Sequence, residues 1–156
     1  MEKLRQRQEE GSALVNLGVA YKRLGEYKQA IDYYQQSLTI AREIGDRWGE
    51  SIALCNLGET FIKLERYSEA LEKLQLALEI CKAISNRSTE ALTYKNLATL
   101  HHQMGRPLAG ISKSAQLARE FCQQALAIAL ELGIPLAQDC QTLRDKLEEE
   151  PNVSNS

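Results

Sequence analysis

The chain of 156 residues has little proline and few aromatic residues, with 3 Pro, 1 Trp, 6 Tyr and 2 Phe. Because proline interrupts helices and central strands, its scarcity favours long regular elements. No apolar run approaches the roughly 20 residues of a membrane-spanning helix. The charged N-terminus is not followed by the apolar segment of a signal peptide. We therefore expect a soluble protein located in the cytoplasm.

Neither sign of charge dominates the chain. The net charge is -2 and the isoelectric point is about 5.8, so there is no basic excess to attract nucleic acid or an anionic membrane. We expect neither partner. The four cysteines form no CxxC pair and fall within helical patterns: Cys55, Cys81, Cys122 and Cys140. We interpret them as small buried apolar residues in a reducing compartment, with a disulfide or zinc site as the minor alternative.

Motifs for catalysis or cofactor binding are missing. The sequence has no Gly-rich phosphate loop, nucleophile elbow or paired-carboxylate motif. Its two histidines, His101 and His102, are adjacent. On a helix their rings would point about 100° apart, so they could not chelate one metal ion together. The sequence therefore predicts no enzyme, no cofactor and no metal site.

What the chain does have is an internal repeat of 40 residues. Residues 11–50 and 51–90 align without a gap and share 14 identical positions. The segment Asn16-Leu17-Gly18, for example, recurs as Asn56-Leu57-Gly58. A period of this length is typical of stacked helical units, each of which is one supersecondary structure.

Each unit is predicted to contain two helices joined by a tight turn. Apolar residues recur at helical spacing over 12–24 and 27–44 in the first unit, and over 47–64 and 67–84 in the second. Gly25 follows the first of these patterns, where a glycine can take the left-handed conformation that ends a helix. Gly45 is expected to end the second helix in the same way.

Small residues occupy matching positions in the two helices of each unit. These are Gly18 and Ala30 in the first unit and Gly58 and Ala70 in the second. A larger side chain there would hold the two helices apart, so we expect a close approach at these positions.

A third unit starts in register and is then interrupted. Asn96-Leu97 keeps the 40-residue spacing, but Ala118 matches Ala30 only at a spacing of 88, which indicates an insertion of eight residues at 107–114. Insertions in repeat proteins occur in loops. The predicted organisation is a charged N-terminal extension (1–10), three repeats (11–50, 51–90 and 91–133), a capping helix (134–150) and a disordered tail (151–156).

The repeats resemble the tetratricopeptide (TPR) pattern of a large residue, Leu-Gly, an aromatic residue, Ala, an aromatic residue and Ala. The residues that carry it in the first unit are Leu14, Leu17-Gly18, Tyr21, Leu24-Gly25, Tyr27, Ala30, Tyr34 and Ser37-Leu38. The long period is similar to that of arrays in bacterial, especially cyanobacterial, signalling proteins and of Pins-type polarity adaptors. The third unit departs from the pattern, with Ala98 in place of the glycine and His101 at the aromatic position.

The resemblance implies an all-α solenoid, a right-handed superhelix whose first helices line a concave groove. Such a groove holds an extended or helical peptide of a partner protein. The matching groove residues are Val15, Asn16, Val19, Lys22, Arg23, Cys55, Asn56, Glu59, Ile62, Lys63, Lys95, Asn96, Thr99, His102 and Gln103. The carboxylate-clamp form of the family is not expected, because Val15 and Val19 occupy the places of its lysine and asparagine.

Three asparagines, Asn16, Asn56 and Asn96, recur in mid-helix at this spacing, although asparagine is a weak helix former. Their amides could bind a peptide backbone as a ladder, or they could make hydrogen bonds within or between repeats. Both interpretations remain open at this point. The lysines and arginines of the groove likewise fit either an acidic peptide or simple solvation. Trp48 is predicted to pack between helices.

The sequence therefore predicts a protein-protein interaction scaffold. The alternative is a self-association module that forms homo-oligomers, or a C-terminal regulatory array of a larger signalling protein, since three repeats are close to the minimum that is stable alone.

Overall fold

The computed structural model describes residues 1–105 and 112–149, and the fold of these residues is all-α. The helices are α1 (Glu2–Arg23), α2 (Tyr27–Ile44), α3 (Arg47–Lys63), α4 (Tyr67–Ile84), α5 (Arg87–Gly105), α6 (Ser112–Leu132) and α7 (Leu136–Glu149). The described ranges contain no strand. The backbone divides into two compact units, Met1–Asn86 and Arg87–Ser156.

Helices of the first unit end in the left-handed backbone conformation that the sequence predicts. Gly25 has φ of 77° after α1, and Gly45 has φ of 71° after α2. Forty residues later Glu65 (φ 58°) and Ser85 (φ 57°) adopt the same conformation, which side chains with a Cβ rarely take. The turn geometry is thus retained in the second repeat although its glycines are not.

In the first unit α1 packs on α2, α2 on α3, and α3 on α4. The predicted close approach within each helix pair is confirmed. A Cβ placed on Gly18 would lie 2.7 Å from Cδ1 of the Tyr34 ring, and one on Gly58 would lie 2.5 Å from Cγ of Leu74. Tyr34 and Leu74 are both fully buried. The two glycines therefore allow these large side chains to lie against the backbone of the neighbouring helix.

The first helix of each repeat contains an arginine that bonds the glutamate three residues later, and in α3 and α5 this arginine is the first helical residue. The pairs are Arg7–Glu10 (2.8 Å), Arg47–Glu50 (2.7 Å) and Arg87–Glu90 (3.1 Å). The first of them lies in the charged segment 1–10, which belongs to the continuous helix α1. The repeat chemistry therefore extends upstream of residue 11.

In the second unit α6 packs on α5, and α7 packs on both. Its core contains Ala98, Ala118, Cys122, Leu143 and Leu147. Tyr94 and His101 of α5 also stack on the ring of Phe121, with ring centroids 5.9 and 5.6 Å apart respectively. His101 thus occupies the packing position that the repeat assigns to an aromatic residue.

The predicted insertion and tail fall partly outside the described residues. Of the insertion at 107–114, residues 107–111 lie outside them, and Ser112–Ser114 form the first turn of α6. Helix α7 covers 136–149 of the predicted 134–150, while residue 150 and the tail 151–156 lie outside. Cys140, Leu143 and Leu147 of α7 are buried. The capping role of this helix and the disorder of the tail remain predictions.

All four cysteines are buried and none is joined in a disulfide, as expected for small apolar residues. Cys122 and Cys140 belong to the second unit, where the Cys122 thiol donates a weak hydrogen bond to the Cys140 carbonyl oxygen at 3.4 Å. Burial raises the pKa of Cys140 to about 11. A thiol with such a pKa stays protonated near neutral pH and is a poor nucleophile.

Candidate protein-binding surface

Twelve of the fifteen predicted groove residues are exposed or half-buried. They are Val15, Asn16, Val19, Lys22, Arg23, Asn56, Glu59, Lys63, Lys95, Thr99, His102 and Gln103. The other three, Cys55, Ile62 and Asn96, are only 1%, 4% and 2% exposed. Little of their surface can therefore reach a ligand, and their predicted contact with one remains a prediction. The repeat register specifies the helix face of a residue, but the surrounding side chains decide how deeply it is covered.

Polar groups of α1 and α3 form a connected network in the first unit. The Lys22 ammonium donates to the Glu59 carboxylate at 2.6 Å and to the Asn56 amide oxygen at 3.4 Å. The Asn56 amide nitrogen donates in turn to the carbonyl oxygen of Ile52 at 2.9 Å. This network neutralises the Lys22 charge, so Lys22 does not act as an isolated cation that would select an acidic peptide.

The three asparagines of the predicted ladder have different environments. Asn16 is exposed, Asn56 is half-buried and hydrogen-bonded within the first unit, and Asn96 is buried. A ladder of three equivalent amides is therefore not formed. Asn56 makes the structural hydrogen bonds that the alternative interpretation expects, and Asn16 is the one whose amide lies open to solvent.

A cleft of about 360 Å³ lies beside Asn16 in the first unit. It is lined by α1, by the C-terminal half of α2, by the turn that follows and by the start of α3. The lining residues are Gln8, Gly11, Ser12, Val15, Asn16, Ser37, Ile40, Ala41, Ile44, Asp46, Trp48, Gly49 and Ile52. We call this site the Trp48 cleft. Its lining is mainly apolar with a few polar groups, a composition typical of binding sites.

A difference in side-chain size between the two repeats explains why the cleft is open. Gly11 and Ser12 stand where the second repeat has the larger Ser51 and Ile52. Since small side chains fill less of the space between the helices, a cavity opens beside α1. The Ser37 hydroxyl donates to the Gly11 carbonyl oxygen at 2.9 Å, which fixes the back of the cleft.

Trp48 lies at the edge of this cleft and is 53% exposed. The prediction that its ring packs between helices is therefore wrong. Asp46, the N-cap of α3, accepts a hydrogen bond from the backbone N–H of Gly49 at 2.9 Å, so Trp48 projects from a rigid, capped first turn. The 40-residue alignment contained a signal: Trp48 corresponds to the polar residues Gln8 and Ser88, which indicates a solvent-facing position.

The second unit carries the remaining predicted groove residues on α5. Lys95, Thr99, His102 and Gln103 are half-buried. The Thr99 hydroxyl donates to the carbonyl oxygen of Lys95 at 3.1 Å. These side chains form a polar helix face, and this face contains no aromatic anchor comparable with Trp48.

The described residues contain no group of three or more His, Cys, Asp or Glu side chains that could hold a metal ion. Besides the thiols of Cys122 and Cys140, two ionisable groups inside the units are perturbed by burial alone or mainly by it. Burial raises the pKa of the Tyr34 phenol and lowers the pKa of His101, which favours the neutral form of both. Both side chains pack against neighbours, and neither lines the Trp48 cleft.

Helix pairs with a repeating sequence, a repeated close approach and repeated caps define the class of α-helical solenoids. Within the described parts of the chain, no helix is long and apolar enough to cross a membrane. The model of the tetratricopeptide repeat family matches residues 9–83 and 51–109. The chain belongs to this family, whose repeats generally mediate protein-protein interactions and are generally non-enzymatic scaffolds.

One solved structure with a similar fold is that of BtubC (BKLC) from P. vanneervenii, with a TM-score of 0.65 and 19% sequence identity. The match covers 88% of this chain and 59% of that protein. At this identity the likeness shows the fold alone. No curated protein matches the sequence significantly.

Proposed function

We propose that the chain is an interaction scaffold that binds a peptide or helix of a partner protein along α1 and α3, with an apolar side chain of the partner in the Trp48 cleft. The observation that carries this proposal is the exposed Trp48 ring at the edge of an open, mainly apolar cleft. Tryptophan is the residue type most enriched at binding hot spots, where its large surface leaves water on association.

Geometry and charge together suggest the chemistry of the partner segment. A cleft of about 360 Å³ accommodates one or two apolar side chains. Asn16 lies beside them and can bond a peptide backbone through its amide. Because Lys22 is already paired with Glu59, recognition depends on apolar contact and the amide more than on a cationic surface.

The proposal can be tested with peptides selected from a random displayed library against the purified chain. Trp48 is the single tryptophan, so its fluorescence reports directly on the cleft. A peptide that enters the cleft should shift the emission to shorter wavelength as the ring leaves water. Calorimetry should show affinity reduced at least about tenfold by Trp48→Ala, as expected for a hot-spot residue.

Two further variants make this experiment specific. Ser12→Ile introduces the residue of the second repeat and fills the cleft, so it should abolish binding while leaving thermal stability unchanged. Leu130→Ala is the matched control, since Leu130 is 57% exposed and belongs to α6, which contributes no residue to the cleft lining. Selected peptides that bind Trp48→Ala and Ser12→Ile as tightly as the natural chain would refute the proposal.

A further inference from the structure

Helix α1 and its C-cap residue Leu24 carry an apolar stripe that no part of the first unit covers. The stripe consists of Ala13, Leu17, Ala20 and Leu24, which are all exposed; Leu17 is 43% and Leu24 74% exposed. At 100° per residue these four positions fall within about 60° of each other on the helix surface. They are separated by four, three and four residues, the spacing of a helix-helix contact seam.

In the second repeat, the positions equivalent to this stripe contact a neighbouring helix. The positions forty residues later are Ala53, Leu57, Thr60 and Leu64. The first three are fully buried and Leu64 is half-buried, and α2 packs against this helix. The stripe of α1 therefore corresponds to the surface of α3 on which α2 packs, but no helix of the first unit packs on it.

We propose that a second copy of this chain covers the stripe, with the α1 helices of the two copies packed antiparallel about a two-fold axis. Small and large residues alternate along the stripe in a self-complementary order. With the axis between Gly18 and Val19, Leu17 of one copy faces Ala20 of the other, and Ala13 faces Leu24. Every leucine then packs against an alanine, so both stripes interdigitate without two large side chains meeting.

Helix α7, the last helix that the structure describes, does not carry an equivalent stripe. Helix α7 buries its own apolar residues, Cys140, Leu143 and Leu147. Its remaining side chains are mostly polar and exposed, including Asp139, Arg144, Asp145 and Lys146. An α1–α1 contact is isologous and closes at two copies, in contrast to head-to-tail stacking, which would continue.

This dimer surface is separate from the Trp48 cleft. Gly11 and Gly18 of α1 are its buried positions facing α2, and the stripe lies on another side of the same helix. The two proposals therefore depend on different residues. A variant can therefore lose dimerisation and keep peptide binding, or the reverse, and each property is measured separately.

Sedimentation equilibrium of the full chain tests the dimer, from about 5 to about 500 µM, a range that covers the weak affinity of a short seam. The expected mass at high concentration is twice the 17.5 kDa of one chain. The double variant Leu17→Glu/Leu24→Glu should remain monomeric with unchanged helical circular dichroism. The control Leu130→Glu, which adds a carboxylate to an exposed leucine of α6, should dimerise normally.

Cysteine cross-linking tests the orientation. A mixture of Ala13→Cys and Leu24→Cys chains should yield a disulfide-linked heterodimer on mild oxidation, whereas neither variant alone should cross-link. Cross-linking of Ala13→Cys with itself would indicate parallel helices and overturn the proposed geometry.

Three other outcomes would show that a second copy of the chain does not cover the stripe. They are a monomer at about 500 µM, a dimer that survives Leu17→Glu/Leu24→Glu, and a dimer that Leu130→Glu dissociates. A monomer would assign the stripe to a helix from outside this chain. Peptide binding at the Trp48 cleft is measured separately and does not depend on any of these results.

Discussion

The Tyr34 ring lies against the backbone of Gly18, so closely that a Cβ on Gly18 would be 2.7 Å from Cδ1 of the ring. Because Tyr34 is fully buried, its ring has no free space into which it could move. This contact determines the distance between α1 and α2.

Gly18→Ala is therefore expected to destabilise the chain by about 1–3 kcal/mol, the usual cost of overpacking a core. The matched control is Gly11→Ala in the same helix. A Cβ there would meet Ile40 Cγ2 at 3.5 Å, an ordinary contact, so the gain in helix propensity should leave stability equal or raised by about 0.5–1 kcal/mol. Urea unfolding followed by circular dichroism measures both. Equal effects of the two substitutions would show that the Gly18–Tyr34 contact is not the cause.

Glu65 and Ser85 adopt left-handed backbone at positions where the first repeat has Gly25 and Gly45. Replacing either by glycine relieves a cost of about 1–2 kcal/mol, partly offset by the greater entropy of glycine in the unfolded chain. We expect Glu65→Gly and Ser85→Gly each to raise stability by about 0.5–1 kcal/mol. The reverse change, Gly25→Ala, should lower it. Thermal unfolding in which the glycine variants were less stable than the natural chain would contradict this expectation.

The buried glutamate of the second repeat provides a comparison between equivalent positions. The Glu50 side chain is 7% exposed and bonds both Arg42 and Arg47, at 3.0 and 2.7 Å. Its removal leaves two arginines without their partner, so Glu50→Ala should cost about 1.5–3 kcal/mol. Glu10, at the same position of the first repeat, is 52% exposed, and Glu10→Ala should cost less than about 0.5 kcal/mol. Denaturant unfolding of the two variants side by side provides the measurement, and similar losses would rule out burial as the deciding factor.

His101 should make the stability of the chain depend on pH. Burial lowers its pKa in the folded state, whereas in the unfolded chain an imidazole titrates near about 6.5. The unfolded chain therefore takes up the proton first, and stability should fall as the pH drops below about 6.5. His101→Phe keeps a ring on Phe121 and removes the buried Nδ1, which has no hydrogen-bond partner among the described residues.

Melting temperatures at about pH 7.5 and about pH 5.5 measure this effect. The natural chain should lose more stability on acidification than His101→Phe, and the variant should be more stable at both values. His102→Gln is the control and should retain the pH dependence. If His101→Phe kept the full pH dependence, another group would be responsible for it.

The parts of the fold that depend on local chemistry were predictable from the sequence. Gly25 and Gly45 mark helix ends because few other residues tolerate φ above zero, and Gly18 marks a close approach because it has no Cβ. The exposure of single side chains was less accessible to prediction. Trp48 is exposed at the edge of a cleft that the small residues Gly11 and Ser12 also line. Asn96 is buried although its register equivalent Asn16 is not.

Some features of the candidate site were likewise predictable from the sequence, and others were not. The repeat register assigned Val15 and Asn16 to one helix face, which depends only on helix periodicity, and both residues line the Trp48 cleft. The apolar wall supplied by Ile40, Ile44 and Ile52 was missed, because it requires three helices to be placed in space. The sequence did contain one sign of the site: Trp48 is a large aromatic residue where the equivalent positions, Gln8 and Ser88, are polar.

The recurring pairs Arg7–Glu10, Arg47–Glu50 and Arg87–Glu90 have a consequence for how such a chain can grow. A segment from residue 47 to residue 86 contains both members of its own pair, and Lys82 stands at the sequence position equivalent to Arg42, which bonds Glu50. Copying this segment in tandem would therefore repeat the Arg–Glu pair together with a cation at the position of Arg42. Each arginine marks the start of one 40-residue module, and duplication of whole modules keeps every Arg–Glu pair intact.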